Sequence, residues 1–235
     1  MNKGWHPVAL STSIEPGSSA GTHIHGREYI VWRDNSGVAH VWEDRCPHRG
    51  MKLSFGFVRG DHIACLYHGW QYDTTGRCRY IPAHPDLEVP ATITVPAFAA
   101  VEAMGMIWAN IEPEAHRSAP PVGPGQVVPV RSLYVDVDVH TLLDVLRANL
   151  PLPFTGEGET SIAAAAENLW RISTTDESLL AGIQALGESR AALHLVIEGP
   201  ASVYAGAGQA HYLGWTTLLR QMAESRATAT RAEAV

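Results

Sequence analysis

The sequence predicts an α+β chain in two parts: an all-β N-terminal half of short antiparallel strands, and a C-terminal half that mixes strands with helices and closes on a long helix. Three observations carry this. Runs rich in Tyr, Ile, Val and Trp recur through the first 113 positions between turn residues, five prolines crowd residues 113–129, and an apolar stripe at helical spacing lies near the end. With 46% hydrophobic and 17% charged side chains, the 235 residues can bury one large core or two modest ones, which excludes disordered and fibrous classes.

Taken in order, residues 28–42 read as a β-hairpin about Arg33-Asp34-Asn35-Ser36-Gly37. Trp70-Gln71-Tyr72 and Arg79-Tyr80-Ile81 flank Asp73-Thr74-Thr75-Gly76 in the same way, and residues 93–95 and 104–108 read as further short strands. Residues 113–129 can neither pair as a central strand nor continue a helix, and read as a linker. Beyond them Leu133, Val135, Val137 and Val139 alternate with Tyr134, Asp136, Asp138 and His140, a half-buried strand, and residues 141–149 turn helical. Residues 176–189 put Leu179, Leu180, Ile183 and Leu186 on one helical face behind an acidic first turn, so a helix is expected there. Residues 192–197 and 201–204 are strand-like. An amphipathic helix is expected over 209–226, with Tyr212, Trp215, Leu219 and Met222 inward and the tail from Ala227 frayed. The resulting division is 1–113, a linker at 114–130, and 131–235.

Seventeen basic against 24 acidic residues give a net charge of -7, which does not favour nucleic acid or an anionic membrane as a partner. No apolar run approaches the roughly 18–20 residues of a membrane-spanning helix. The opening Met-Asn-Lys-Gly-Trp-His lacks the apolar core of a secretory signal, so the cytoplasm is the expected compartment. Three cysteines, Cys46, Cys65 and Cys78, are too few for a disulfide framework and suit metal ligation or burial better.

Two of those cysteines stand beside histidines. Cys46-Pro-His48-Arg-Gly is followed by Cys65-Leu-Tyr-His68-Gly-Trp, with 16 residues between His48 and Cys65. Each segment places one thiolate and one imidazole on a tight loop, so two facing loops present two sulfurs and two nitrogens. Zinc and a Rieske iron-sulfur cluster are both compatible with that set. Zinc sites of this composition usually group ligands by type, whereas a Rieske 2Fe-2S centre takes one Cys and one His from each loop.

The segment resembles the Rieske domain of aromatic-ring-hydroxylating and demethylating non-haem iron oxygenases, over about residues 5–113. The resemblance implies that Cys46 and Cys65 hold the inner iron of a 2Fe-2S cluster, and His48 and His68 the outer, solvent-facing iron. Rieske subunits of cytochrome bc complexes carry two further cysteines that join the loops by a disulfide; Met51 and Tyr67 occupy those places here. Cys78 falls outside both loops and reads as a small buried hydrophobe. Trp42, Trp70 and Trp108 read as core or loop cover, and His23, His25, His40, His62 and His84 as surface or hairpin residues. Arg49 and Lys52 are either solvated charge or a lure for a carboxylate-bearing partner.

In these oxygenases a second, helix-grip domain holds a mononuclear iron by an Asp-x2-His-x4-His motif before a loop reading Pro-Phe-Thr-His. Residues 150–158 resemble that loop. Alignment on Pro153-Phe154-Thr155 puts Ala148 at the aspartate, Pro151 at the first histidine and Gly156 at the second. None offers a donor side chain. His140, His194 and His211 lie too far apart in sequence to pair on one turn, and Asp144 and Glu157 read as surface charges. The C-terminal half therefore reads as a truncated helix-grip-like relic retained for packing. The expected role is a 2Fe-2S electron-transfer and structural subunit without its own mononuclear Fe(II). It would take electrons from a reductase or ferredoxin and pass them to a catalytic Rieske-oxygenase subunit in a trimer-based hetero-oligomer. A complete mono- or dioxygenase, with an iron site built from those scattered histidines, and a stand-alone carrier or redox sensor are the competing readings.

Overall fold

The computed structural model describes residues 4–233. The N-terminal part runs β1 (Trp5–Leu10), β2 (Ser19–Ile24), β3 (Arg27–Arg33), β4 (Ala39–Glu43), β5 (Phe57–Arg59), β6 (His62–Ala64), β7 (Gln71–Asp73), β8 (Cys78–Tyr80), β9 (Ala97–Ala103) and β10 (Met106–Asn110). Six of these form an antiparallel sheet in the order β1-β10-β9-β4-β3-β2, while β5-β6-β7-β8 form a smaller meander inserted between β4 and β9. Both expected hairpins are present. Residues 93–95 contribute only a single bridge, Arg77 to Thr94, because Pro90 and Pro96 bracket a segment too short to pair further. Met104 and Gly105, at φ 55° and 71°, make the two-residue turn into β10, so that strand starts two residues later than its apolar run suggests.

The C-terminal part runs β11 (Val127–Val135), α1 (Val139–Ala148), β12 (Ser161–Ala166), β13 (Leu169–Ser173), β14 (Ser178–Gly187), β15 (Arg190–Glu198), α2 (Ala201–Tyr204) and α3 (Ala207–Glu233). Its five strands lie antiparallel in the order β11-β15-β14-β13-β12. One face packs on the helices, joining Leu133, Leu193 and Leu195 to Leu142, Leu146, Tyr212 and Leu219. The opposite face packs on the N-terminal sheet, where Leu169, Leu180 and Val196 meet Trp5, Met106 and Trp108.

Several expectations are corrected. Residues 176–189 are not a helix but strand β14. Its apolar residues satisfy a helical face by coincidence: Leu179, Ala181 and Ile183 face the helices and Leu180 the N-terminal sheet, so burial on both sides erases the alternation that marks a strand. Residues 201–204 are one helical turn, α2, started by Pro200 at its N-cap. β11 begins at Val127, inside the expected linker. Pro129 is tolerated because β11 is an edge strand and its register shifts between Pro129 and Arg131. Within α3, Tyr212 and Leu219 are buried and Trp215 half-buried, but Met222 is exposed, and the helix continues past Ala227 to Glu233.

Candidate metal centre

Two loops at one end of the small meander carry the candidate ligands. The first, residues 46–51, follows β4; the second, residues 65–70, joins β6 to β7. They close in the same way. The Cys46 amide donates to the Met51 carbonyl at 2.8 Å and the Gly50 amide to the Cys46 carbonyl at 2.8 Å; the Cys65 amide donates to the Trp70 carbonyl and the Gly69 amide to the Cys65 carbonyl, both at 2.9 Å. Gly50 and Gly69, each four residues after its cysteine, sit at φ 73° and 72°, left-handed backbone that a side chain would strain. The loops differ in where the histidine falls, two residues after Cys46 and three after Cys65.

The four side chains converge in a graded arrangement. Cys46 and Cys65 are buried at 2% and 3% exposure in a core with Trp42, Ile63 and Tyr72. His48 is half-buried and His68 exposed, and their ring centroids lie 4.7 Å apart. Donors surround the sulfurs. Cys46 receives the Cys65 thiol, the Tyr72 hydroxyl at 3.1 Å and the amides of His48 and Arg49. With the Cys65 contact leading, these hold the Cys46 thiol down at about 5; Cys65, as the donor of that pair, is pushed up. Burial first, then the Cys46 sulfur, push Tyr72 up, so its hydroxyl keeps the proton it donates.

The donor chemistry fits a two-iron cluster: buried sulfurs on one side, imidazoles toward solvent on the other. Among the described residues no three His, Cys, Asp or Glu side chains are grouped so as to hold a single metal ion. Cys78 is buried in the same core but its sulfur faces the Tyr80 carbonyl at 3.8 Å. Trp42 and Trp108 are core, as expected, while Trp70 stacks on His48. Lys52 is paired with Glu28 at 2.5 Å, and Arg49 is exposed beside His48. His40 meets Asp34 at 2.9 Å and His62 meets Asp61 at 3.2 Å; His23, His25 and His84 lie in the β2–β3 hairpin or on an exposed loop. Tyr72 was not singled out by sequence. A tyrosine on a strand directly after the second loop, with a hydroxyl needing a buried partner, is the signal that points to it.

The second set of positions is laid out differently. Ala148 ends α1, Pro151 is buried, and Gly156 is exposed at φ 75°. The loop between them is held by a carboxylate, since Glu177 Oε2 accepts the amides of Phe154 and Thr155 at 2.9 and 3.0 Å. His140 is exposed at the start of α1, and His211 on α3 donates to the Leu152 carbonyl at 2.9 Å. His194 is fully buried on β15, on the face toward the N-terminal sheet. Its Nε2 donates to Gln184 Oε1 at 2.9 Å, and its Nδ1 accepts the Ser132 hydroxyl at 2.8 Å. The C-terminal sheet thus lies between His194 and His211. Asp144 is exposed and pairs with Arg147 at 3.9 Å, and Glu157 is exposed.

Comparison with known proteins agrees with this geometry. Residues 4–98 match the family described as the Rieske [2Fe-2S] domain. The chain is 33% identical over 171 residues to the oxidoreductase NdmD of Pseudomonas putida, covering 70% of this chain and 28% of NdmD. It is 36% identical over 122 residues to the methylxanthine N1-demethylase NdmA of the same organism, covering 46% and 32%. The structure of NdmA superposes with a TM-score of 0.73 at 19% identity, over 95% of this chain and 81% of that one. The chain is therefore a Rieske iron-sulfur protein. Its relatives include oxidoreductase and demethylase components, and its C-terminal α+β domain shares the fold of NdmA without matching the mononuclear-iron motif. It spans 19% to 32% of the length of the relatives it matches. Among the described residues no helix is long and apolar enough to cross a membrane.

Proposed function

We propose that the chain is the 2Fe-2S electron-transfer and structural component of a cytoplasmic, hetero-oligomeric Rieske oxygenase. It would accept electrons from a reductase or ferredoxin and deliver them to the mononuclear iron of a partner subunit. The observation that carries this reading is the contrast between the two sites. Cys46 meets Cys65 and His48 meets His68, two sulfur and two imidazole donors on facing loops, while Ala148, Pro151 and Gly156 supply no donor and Glu177 organises their loop instead. The cluster, when bound, supplies one-electron chemistry. The chain's own residues set its surroundings: Tyr72 and the amides of His48, Arg49, Tyr67 and His68 donate to the sulfurs, and the exposed His68 edge is the face a partner can approach.

A complete oxygenase is the second reading, favoured by the superposition of nearly the whole chain on NdmA. Metal analysis of anaerobically purified, fully loaded protein separates the two. An iron to acid-labile sulfide ratio near one supports the subunit reading. A ratio of about three irons to two sulfides overturns it, if replacing His140, His194 or His211 removes the extra iron together with oxygen-dependent turnover.

A further inference from the structure

We infer that Trp70 ties the two cluster loops together without a covalent link and is a positioning residue for His48; the inference rests on the Rieske reading of residues 4–98. The Trp70 indole and the His48 imidazole are stacked, with ring centroids 4.3 Å apart and planes 4° from parallel. Trp70 closes the second loop and His48 belongs to the first, so this stack passes from one loop to the other. The carbonyl of Trp70 accepts the Cys65 amide at 2.9 Å, and its side chain packs on the core that contains Cys46, Cys65 and Tyr72. Trp70 is thus held through both its backbone and its side chain.

Two other contacts cross between the loops, the Cys46–Cys65 sulfur pair and the edge-on His48 and His68 rings, but both join candidate ligands to each other, whereas Trp70 is a side chain outside that set. Cys46, Cys65 and Cys78 are all free, so among the described residues no disulfide joins the loops. The Tyr67 ring lies 3.9 Å from that of His68, its own neighbour on the second loop, so it braces one imidazole without bridging the loops. A metal-bound imidazole is ordinarily oriented by a hydrogen bond from its second nitrogen to a protein acceptor. Among the described residues, neither ring nitrogen of His48 or His68 has such a partner. The His48 side chain has two rotatable torsions on an exposed loop, and the flat surface of Trp70 fixes the plane of its ring, and with it the direction of its nitrogen lone pair.

Trp70→Leu and Trp70→Phe in the full chain test this, compared with the parent by three measurements. These are the rate at which cluster absorbance is lost to an iron chelator, the electron paramagnetic resonance spectrum of the dithionite-reduced protein, and the thermal midpoint of the cluster-free protein. Trp70→Leu should lose its cluster faster, in the ~10–100-fold range seen when groups that orient a metal ligand are removed. Its g values should shift, while Trp70→Phe stays close to the parent and the cluster-free midpoints of the two variants agree. Parental g values and release rate in Trp70→Leu overturn the proposal. So does a loss in both variants that simply follows a lowered cluster-free midpoint, since the ring is then only filling the core. A parent that shows no Rieske-type spectrum instead removes the cluster reading itself, and the tie with it.

Discussion

At the scale of single residues, the chemistry of the centre is concentrated in donors aimed at sulfur. Tyr72 is the clearest of them, buried, held protonated and 3.1 Å from Cys46 Sγ. A donor to a ligand thiolate stabilises the reduced, more negative cluster, so Tyr72→Phe should lower the reduction potential. One lost hydrogen bond of about 1 kcal/mol corresponds to roughly 40 mV for a one-electron couple. Redox titration of the two proteins checks this, and an unchanged or higher potential contradicts the role given to the hydroxyl. The four candidate ligands were legible in the sequence because each loop is a local unit: a cysteine, a histidine within three residues and a glycine that permits the turn. Tyr72 and Trp70 were not, since their roles depend on which way a ring points once two separate loops are brought face to face.

Elements were legible where a local signal marks them. The hairpin of β3 and β4 is buried on both faces yet is announced by the turn residues between its strands, and α3 by its apolar stripe; β14, also buried on both faces, has apolar residues that fit a helical face equally well. α1 was anticipated as well, and its start is built by Asp138. The Asp138 carboxylate accepts the amides of His140 and Thr141 at 2.8 and 3.0 Å and the Thr141 hydroxyl at 2.7 Å. Burial alone would raise this carboxyl, but those donors outweigh it and hold it below its usual 3.8. Asp138→Ala should cost about 1 kcal/mol, read as a lower urea midpoint at neutral pH. Because the folded carboxyl is depressed, the contribution is present above pH 3.8 and fades as pH falls through the lower folded value, so parent and variant should converge in strong acid.

At the scale of the whole molecule, the two halves share one seam. The amides of His25 and Gly26 donate to the carbonyls of Ala185 and Leu186 at 2.8 Å, and Asn168 donates to the Trp5 carbonyl at 3.0 Å. Gln184 donates to Thr22 Oγ1 at 2.9 Å and to the His23 carbonyl at 2.8 Å, while accepting from His194. Two histidines are enclosed at this seam. Burial lowers both His6 and His194 to about 4, with the nearby His25 adding to the effect on His6. Unfolding returns them to about 6.5, where they take up protons, so folding stability is undiminished above pH 6.5 and declines as pH falls toward 4. Each group contributes up to about 1.4 kcal/mol per pH unit across that window. Urea unfolding at pH 7 and pH 5 should show the decline, and His194→Gln should make it shallower; equal slopes would mean that His194 does not titrate between the two states. The same seam changes what the proline-rich stretch before β11 does. A protease that clipped the chain there would cut a strap and release nothing, because each fragment would keep the apolar face and backbone partners the other covers. A nicked molecule would travel as one particle and come apart only on denaturation, so the covalent join holds the local concentration of two mated surfaces rather than their alignment.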